Sequence, residues 1–500
     1  MSSAQGLTTN DRQRDTSGER RNMNDKYETV IGLEVHVQLA TRTKAFCGCS
    51  TVFGARPNTQ VCPVCLGLPG VLPVLNRKAF EYAIKVALAL GCDIQKKAKF
   101  DRKNYYYPDL PKNYQISQYD MPLAYNGRIT ITGGDGSTRE IGVTRAHLEE
   151  DAGKLLHDPE QPFSYVDLNR TGTPLLEIVS EPDIRTPGEA YEYLVILKQA
   201  VKYLEVSDCN MEEGSLRCDA NISLREKGAA ELGSKVEIKN LNSFKAVRDA
   251  LAFEEKRQEK VLAGGGKVPQ ETRLWDEKNN MTDPMRSKEE AHDYRYFPEP
   301  DLVPFEIRAD LVEEIRRTVP ELPWEKKRRF IEQYKLSDRD TGIMISEKDL
   351  ADFFESVVAE YNDPHTVCNW IRGEVMMHIK ERGTDIAGLN LGAADLAAVI
   401  MMAKKGAISG LAAKDVLKIH IDTGKDPAAI VREKGLEQVS DEGALEDIIR
   451  EVIARNEKSV SDYRSGKTNA LSFLVGQVMK DTKGKANPKL VNEMFRKKLG

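Results

Sequence analysis

From Leu33 to Leu39 the chain alternates without a break. Leu33, Val35, Val37 and Leu39 fall on one parity, and Glu34, His36 and Gln38 on the other. A period of two fits a β-strand and no helix, because successive side chains of a strand point to opposite faces. Such a strand belongs in a sheet that packs one face on an apolar core. The other face then carries a carboxylate, an imidazole and an amide together. A solvent-facing polar stripe is the commoner reason for such a pattern; a reaction site is the sharper one.

The same grammar returns further on. Arg217, Asp219 and Asn221 alternate with Leu216, Cys218, Ala220 and Ile222; Lys235, Glu237 and Lys239 alternate with Val236 and Ile238. Glu177 stands alone in the apolar run Pro174-Leu-Leu-Glu-Ile-Val179, and a buried carboxylate needs a cation or metal as partner. Glu149-Glu150-Asp151 adds another acidic group. Carboxylates with water are what Mg²⁺ prefers, and Lys and Arg beside them suit phosphates. Together these strands read as a metal–nucleotide site built on a sheet. The bland alternative is a set of salt-bridged surface strands. Asp101-Arg-Lys-Asn-Tyr-Tyr-Tyr-Pro-Asp109 adds rings that stack on a base or ribose, with Lys103 to pair a phosphate, or that simply pack on the core.

Short β-rich runs (Tyr27–Leu39, Arg128–Thr132, Arg217–Leu224, Lys235–Ile238) and interspersed helices (Arg77–Leu90, Glu189–Leu204) lack a regular βαβ beat. That predicts an α+β fold with a mixed or antiparallel sheet over residues 27–310. Residues 311–426 carry helical periods (Glu347–Tyr361, Val367–Lys380, Asp395–Lys404), so a helical domain follows. Residues 427–500 form a second, basic helical domain: from Arg450 to Gly500 twelve Lys and Arg face five Asp and Glu, a net of +7. Residues 1–26 are polar with no apolar stretch, which predicts a disordered extension without a secretory or organellar signal and a cytoplasmic location. At 500 residues, two to four domains are expected at ~150 residues each. The longest apolar runs, such as Leu396–Ala403, have eight residues where a membrane span needs about twenty, so no membrane association is expected. A balance of 73 basic against 78 acidic residues excludes a uniformly basic nucleic-acid coat but leaves room for a local patch.

Cys47, Cys49, Cys62 and Cys65 form C-x-C-x12-C-x2-C. Two short pairs on turns can set four thiolates tetrahedrally around Zn²⁺. Four sulfurs close the coordination sphere, so the expected zinc is structural. Cys92, Cys209, Cys218 and Cys368 are isolated and read as core residues. Other nucleotide signatures are missing. Ser465-Gly-Lys-Thr468 lacks the leading glycine of a phosphate loop, and Gly264-Gly-Gly-Lys267 reads as a flexible turn. No thiol or serine sits in a recognisable glutaminase setting.

Tyr27-Glu-Thr-Val-Ile-Gly-Leu-Glu-Val-His-Val37, Phe100-Asp-Arg-Lys-Asn-Tyr105, Tyr114-Gln-Ile-Ser-Gln118, His147-Leu-Glu-Glu-Asp-Ala-Gly153 and Asp167-Leu-Asn-Arg-Thr-Gly-Thr-Pro174 resemble the B subunit of the aspartyl/glutamyl-tRNA(Asn/Gln) amidotransferase. So do Met211-Glu-Glu-Gly-Ser-Leu-Arg-Cys-Asp219, Lys239-Asn-Leu-Asn-Ser243 and Asp293-Tyr-Arg-Tyr-Phe-Pro-Glu-Pro300, and the likeness runs from about Tyr27 to the C-terminus. The resemblance implies a glutamine-synthetase-like catalytic cradle. In that family the B subunit uses ATP and Mg²⁺ to phosphorylate the side-chain carboxylate of mischarged Glu-tRNA(Gln) or Asp-tRNA(Asn). Ammonia from a glutaminase A subunit then displaces the phosphate, and a small C subunit completes a heterotrimer. Carried onto this sequence, Glu34, His36 and Glu150 become Mg²⁺ ligands, with Glu177 close by and Glu149 and Glu237 in the catalytic set. Lys103, Arg217 and Lys239 become nucleotide, phosphate or substrate contacts. Lys458, Arg464, Lys467, Lys480, Lys483 and Lys485 become tRNA contacts. Two other readings compete: a tRNA-binding scaffold whose cradle has lost activity, and a free-standing ATP-dependent amide ligase acting on a small acid.

Overall fold

The computed structural model describes residues 26–133, 136–158, 160–285, 294–438, 442–482 and 486–500. The expected N-terminal extension, Lys26 apart, lies outside the described residues. The chain divides into two compact units, Met1–Pro323 and Trp324–Gly500. It is a mixed α+β protein whose large mixed sheet stands in the first unit.

The strands of the first unit are β1 (Tyr27–Gln38), β2 (Asp93–Ile94), β3 (Lys97–Ala98), β4 (Asp101–Asn104), β5 (Tyr114–Ser117), β6 (Ala124–Thr132), β7 (Thr138–Glu150), β8 (Lys154–His157), β9 (Ser164–Asp167), β10 (Pro174–Ser180), β11 (Leu216–Glu226), β12 (Val236–Lys239), β13 (Glu271–Asp276), β14 (Met281–Pro284), β15 (Phe297–Pro298) and β16 (Phe305–Glu306). Its helices are α1 (Arg77–Ala89), α2 (Pro187–Tyr203), α3 (Phe244–Ala263) and α4 (Ala309–Arg316). The main sheet runs β14-β13-β12-β11-β1-β10-β7-β6-β2. Its pairs are antiparallel except β12 with β13, which are parallel. A three-stranded sheet, β15-β4-β5, stands apart from it.

β1 lies near the centre and behaves as its alternation demands. Leu33, Val35 and Val37 are buried in the core with Ala146, Leu148, Leu176, Ile178, Leu216 and Ala220. The helices cover that face: α1 contacts β6 and β7, and α3 contacts β11. Three of the four helices start on a side-chain cap, Asn76 for α1, Thr186 for α2 and Ser243 for α3, which satisfies amide groups that no helical carbonyl can reach. The sequence does not announce α3. Its polar faces mask the buried stripe of Ala246, Val247, Ala250, Leu251 and Glu254. The Gly264-Gly-Gly stretch follows its end, with Gly265 at φ +75°. Ile315 and Leu322 join this first core, which carries the unit past residue 310.

The second unit is helical and holds two cores. The first gathers Phe330, Phe354, Val367, Ile371, Val399 and Leu417; the second gathers Leu445, Ile449, Leu474, Val491 and Phe495. Expected helices appear at Lys348–Glu360 and Ala393–Lys404. The stretch that reads as one helix from Val367 to Lys380 is Pro364–Trp370 and Met376–Arg382, joined by a π-turn at Ile371–Val375. Among the described residues no helix is long and apolar enough to cross a membrane.

Candidate active site and metal centres

The register of the main sheet gathers its charged face. His36 on β1 lies across from Glu177 on β10 and from Arg217 on β11, and Glu177 lies across from His147 on β7. One transverse row therefore reads His147, Glu177, His36, Arg217. One step along β1, Glu34 lies across from Asp219. A row further, Asn221 lies across from Glu237, whose carboxylate accepts from Thr272 at 2.9 Å. All of these side chains except Asn221 and Thr272 line a cavity of about 460 Å³, together with Lys103, Glu149, Asp151, Lys239 and four tyrosines.

The tightest group in it is His36, Glu149 and Glu177, whose ligand atoms all lie within 4.8 Å of one another. His36 Nε2 is 3.3 Å from Glu177 and 3.6 Å from Glu149, and both carboxylates are buried. His147 Nε2 is 3.6 Å from Glu177. Burial works against a charged His36, yet the hydrogen bond and charge of Glu177, with the charge of Glu149, outweigh it and raise its pKa. At His147 burial is the larger effect and lowers the pKa below the ordinary imidazole value, against the charges of Glu177 and Glu149. Burial also opposes ionisation of Glu177, but His147, His36 and Lys103 bring its pKa well below the usual carboxylate range. Lys103 is desolvated, and Glu149 and Glu177 still hold it firmly protonated. Glu149 Oε2 and His147 Nδ1 are buried without a hydrogen-bond partner. Orphaned buried acceptors need an explanation, and a cation is the direct one for a carboxylate oxygen. Two carboxylates and an imidazole are a donor set that takes a hard divalent ion completed by water.

The other expected residues fall around this centre. Glu34 accepts from Asn221 at 3.0 Å and lines the same cavity outside the tight triad. Lys239 bridges Asp219 at 3.0 Å and Glu237 at 3.2 Å. These two acids outweigh its desolvation and raise its pKa. Arg217 donates to the buried Asp151 at 2.8 Å. Asp151 also accepts from Gln38 at 2.6 Å, and Arg217 and Arg170 lower its pKa against the effect of burial. In the sequence, Asp151 and Asp219 stand out only as members of the acidic and alternating groups, without a role of their own, and neither His147 nor the tyrosines away from the 101–109 stretch stand out as site residues. The alternation of Asp219 with Cys218 and Ala220 is the signal for that residue.

Glu150 is not brought into this cavity. The family resemblance places it on the metal with Glu34 and His36, but its side chain leaves β7 on the side opposite Glu149. There it pairs with Lys112 and accepts from the Ile116 amide at 2.9 Å. It lines a separate cavity with Lys44, Cys65 and Arg102. Glu149, not Glu150, completes the triad.

The four cysteines meet as expected, with their sulfurs within 4.8 Å of one another. The hydrogen bond of Cys47, helped by the Cys62 amide and the charge of Lys44, holds the Cys65 thiol down at about 4 despite burial. Burial pushes Cys49 up to about 11. Lys44 is fully buried, with Nζ 2.7 Å from the Gln60 carbonyl and 3.6 Å from Cys65 Sγ. The four thiols form a donor set that fits a structural Zn²⁺, with the Lys44 ammonium beside them to balance thiolate charge. Cys92, Cys209, Cys218 and Cys368 are buried singly.

In the tail, Lys458, Arg464, Lys467 and Lys480 are exposed, and Lys467 is tied to Asp462 at 2.9 Å. Lys483 and Lys485 lie outside the described residues.

A sheet that buries one face under helices and gathers acids, histidines and cations on the other is the build of a catalytic domain. Residues 29–313 match the family model described as the GatB/GatE catalytic domain, and residues 352–499 match the one described as the GatB domain. The chain is 56% identical over 477 residues to the B subunit of the aspartyl/glutamyl-tRNA(Asn/Gln) amidotransferase of Carboxydothermus hydrogenoformans, covering 95% of this chain and 99% of that one. It is 57% identical over 474 residues to the protein of that name from Caldanaerobacter subterraneus subsp. tengcongensis, with 95% and 99% covered. For the one from Brevibacillus brevis the identity is 53% over 474 residues, with the same shares. The chain belongs to the family of aspartyl/glutamyl-tRNA(Asn/Gln) amidotransferase B subunits.

Proposed function

We propose that this protein activates the side-chain carboxylate of a mischarged Glu-tRNA(Gln), Asp-tRNA(Asn) or both, and passes it to ammonia. The observation that carries the reading is the His36–Glu149–Glu177 triad, ringed by Lys103, Arg217 and Lys239 in one cavity. A carboxylate is a poor acyl donor to ammonia because its leaving group would be oxide. Transfer of the γ-phosphoryl group of ATP supplies a better one. The bond from the γ-phosphorus to the bridging oxygen breaks as a bond to the carboxylate oxygen forms, and ADP leaves. Ammonia then attacks the acyl carbon, loses a proton, and phosphate departs as the amide forms.

Phosphoryl transfer asks the protein mainly for positioning and for cations where charge spreads. Glu149 and Glu177 with His36 would hold Mg²⁺, which neutralises phosphate charge when bound. Glu34 fits a role at the edge of that centre. Lys103, Lys239 and Arg217 are each held charged by neighbouring acids, so they stay available as fixed cations along the cavity wall. Glu237 and Asp219 hold Lys239 in place. The cysteine cluster is assigned a structural Zn²⁺. The likeness of the cradle to glutamine synthetase remains part of this reading. So does a three-domain layout: a catalytic cradle over 27–310, a helical domain over 311–426 and a basic tail over 427–500, preceded by an extension over 1–26.

In this reading the ammonia comes from a glutaminase A subunit, a small C subunit completes the complex, and the complex works in the cytoplasm. The tail grips tRNA phosphates through Lys458, Arg464 and Lys480, with Lys467, Lys483 and Lys485 in the same stretch. The test is transamidation. The chain is co-expressed with A and C subunits and supplied with ATP, Mg²⁺, glutamine and labelled Glu-tRNA(Gln) or Asp-tRNA(Asn). The expected product is labelled glutamine or asparagine, lost on Glu177→Gln in a complex that still assembles. No amide from either tRNA, in a complex that still hydrolyses glutamine, overturns the proposal in favour of a scaffold.

A further inference from the structure

We infer that Tyr119 and Tyr296 form a stacking platform for a purine ring at the mouth of the sheet cavity. The inference rests on the reaction just proposed and names where a base of its substrates lies. Both residues line the cavity that holds the His36–Glu149–Glu177 triad. Their rings are parallel, 8° apart in plane with centroids at 4.2 Å. Among the described residues, every other ring pair is edge-on or tilted, as ring quadrupoles favour in a core. A parallel pair presents a flat π face rather than an edge. Tyr119 is 58% exposed, so that face opens to solvent beside a polar cavity.

The platform is fixed from both sides. The Tyr119 amide donates to Asp101 Oδ2 at 3.1 Å, and Asp101 is itself buried and paired with Lys99 at 2.8 Å. Tyr296 precedes β15, which pairs with β4 and is clamped by Arg102 on Glu299 at 2.7 Å. Tyr294 stands edge-on to Tyr296 at 6.0 Å, and Lys103 Nζ lies 5.2 Å from the Tyr294 ring. Acids and histidine, then a lysine, then flat rings make a sequence along one cavity. Metal with phosphates, then sugar, then base is the matching sequence along a nucleotide. Stacking on tyrosine tolerates any base, so the platform selects a flat ring and not its edge pattern. The proposed reaction offers two such rings, the adenine of ATP and the 3′-terminal adenosine of tRNA.

Two fluorescent probes separate these sources, since 2-aminopurine is quenched when it stacks. One is 2-aminopurine riboside triphosphate with Mg²⁺. The other is an RNA minihelix ending in 3′-2-aminopurine. Each is titrated into the full-length chain and into Tyr119→Ala and Tyr119→Phe. For one probe the wild-type chain quenches on binding. Tyr119→Ala loses the quench and binds about tenfold more weakly, the change that ~1.4 kcal/mol of lost stacking gives, and Tyr119→Phe restores both. Loss in the triphosphate arm assigns the platform to the nucleotide; loss in the minihelix arm assigns it to the RNA end. If Tyr119→Ala keeps both affinities and both quenches while triphosphate binding still requires Mg²⁺, the platform is refuted and the proposed reaction stands. If the wild-type chain binds neither probe, the platform falls together with the reading beneath it.

Discussion

Glu149 and Glu150 are neighbours in sequence with opposite predicted roles, and exchanging each for glutamine separates them. Glu149 is buried, 3.6 Å from His36 Nε2, with its second oxygen unpartnered. A carboxylate about 4 Å from a divalent ion interacts by about 8 kcal/mol at an effective dielectric of ~20, twice the ~4 of a unit pair. Desolvation and the remaining amide dipole cancel most of that. A residual quarter, about 2 kcal/mol, still means about 30-fold weaker Mg²⁺ binding. Glu150 faces the other way and neutralises the buried Lys112. Glu150→Gln leaves that ammonium without its counter-charge and costs about 3 kcal/mol of stability. The assay is amide formation against Mg²⁺ concentration, with a thermal melt of each variant. Glu149→Gln shifts the half-saturating Mg²⁺ upward by ~30-fold with a small change in melting. Glu150→Gln lowers the melting temperature and leaves Mg²⁺ dependence within about threefold, a difference of only ~0.6 kcal/mol. A shift in Mg²⁺ dependence for Glu150→Gln, with none for Glu149→Gln, would refute the assignment of the triad.

Other outcomes follow from the same geometry. Cys65→Ser, or a strong chelator, removes bound zinc, from one per chain to none by metal analysis, and lowers stability because metal binding is folding free energy. In the helical unit, Glu355 accepts from Arg329 at 2.6 Å and receives Lys326 at 3.1 Å. Burial raises its pKa, but Arg329 and Lys326 together bring it below the ordinary value. A lowered pKa gives stability that is present above the unfolded value of about 4.3 and is lost as pH falls through the folded one. Glu355→Gln therefore lowers the melting temperature by about 3 °C at pH 7, for ~1 kcal/mol in a unit of this size, and the gap to wild type closes below about pH 4. Replacing Lys458, Arg464 and Lys480 together with Gln weakens tRNA binding. It also flattens the plot of log affinity against log salt by about two, at ~0.7–0.9 for each phosphate no longer neutralised.

Much of the fold is legible in the sequence because burial follows parity. β1, β11 and β12 bury the residues that alternation sends inward, and α1 and α2 begin within two residues of their expected starts. The cysteine spacing is equally readable, since ligands on short turns meet with little help from the rest of the chain. α3 escapes because its inward stripe includes Glu254, which is fully buried and satisfied by Arg257 at 2.6 Å. An ion pair made inside a core cannot be seen as apolar periodicity. The tyrosines at the cavity mouth escape for another reason. Tyr119 and Tyr296 are far apart in sequence and meet only because β4 pairs with both β5 and β15.

The exchange of Glu149 for Glu150 has its own physical cause. On β7, Ile141 and Val143 face the core, and counting by twos from them sends Glu149 inward and Glu150 to the charged face. The strand does not keep that count. Val179 of β10 lies across from Arg145, while its neighbour Ser180 lies across from Val143, so one extra residue, Thr144, is bulged out of the pairing. A bulge resets the parity of everything beyond it. After Thr144 the inward residues are Ala146 and Leu148, and His147 and Glu149 turn to the face that holds His36 and Glu177. A single inserted residue thus decides which of two adjacent glutamates reaches the cavity that holds His36 and Glu177. Were the strand to run unbulged through Thr144, strict alternation would swing Glu150 toward His36 and bring Glu149 against the apolar core. That exchange costs a buried charge without a partner, which is why the bulge and the active site have to be understood together.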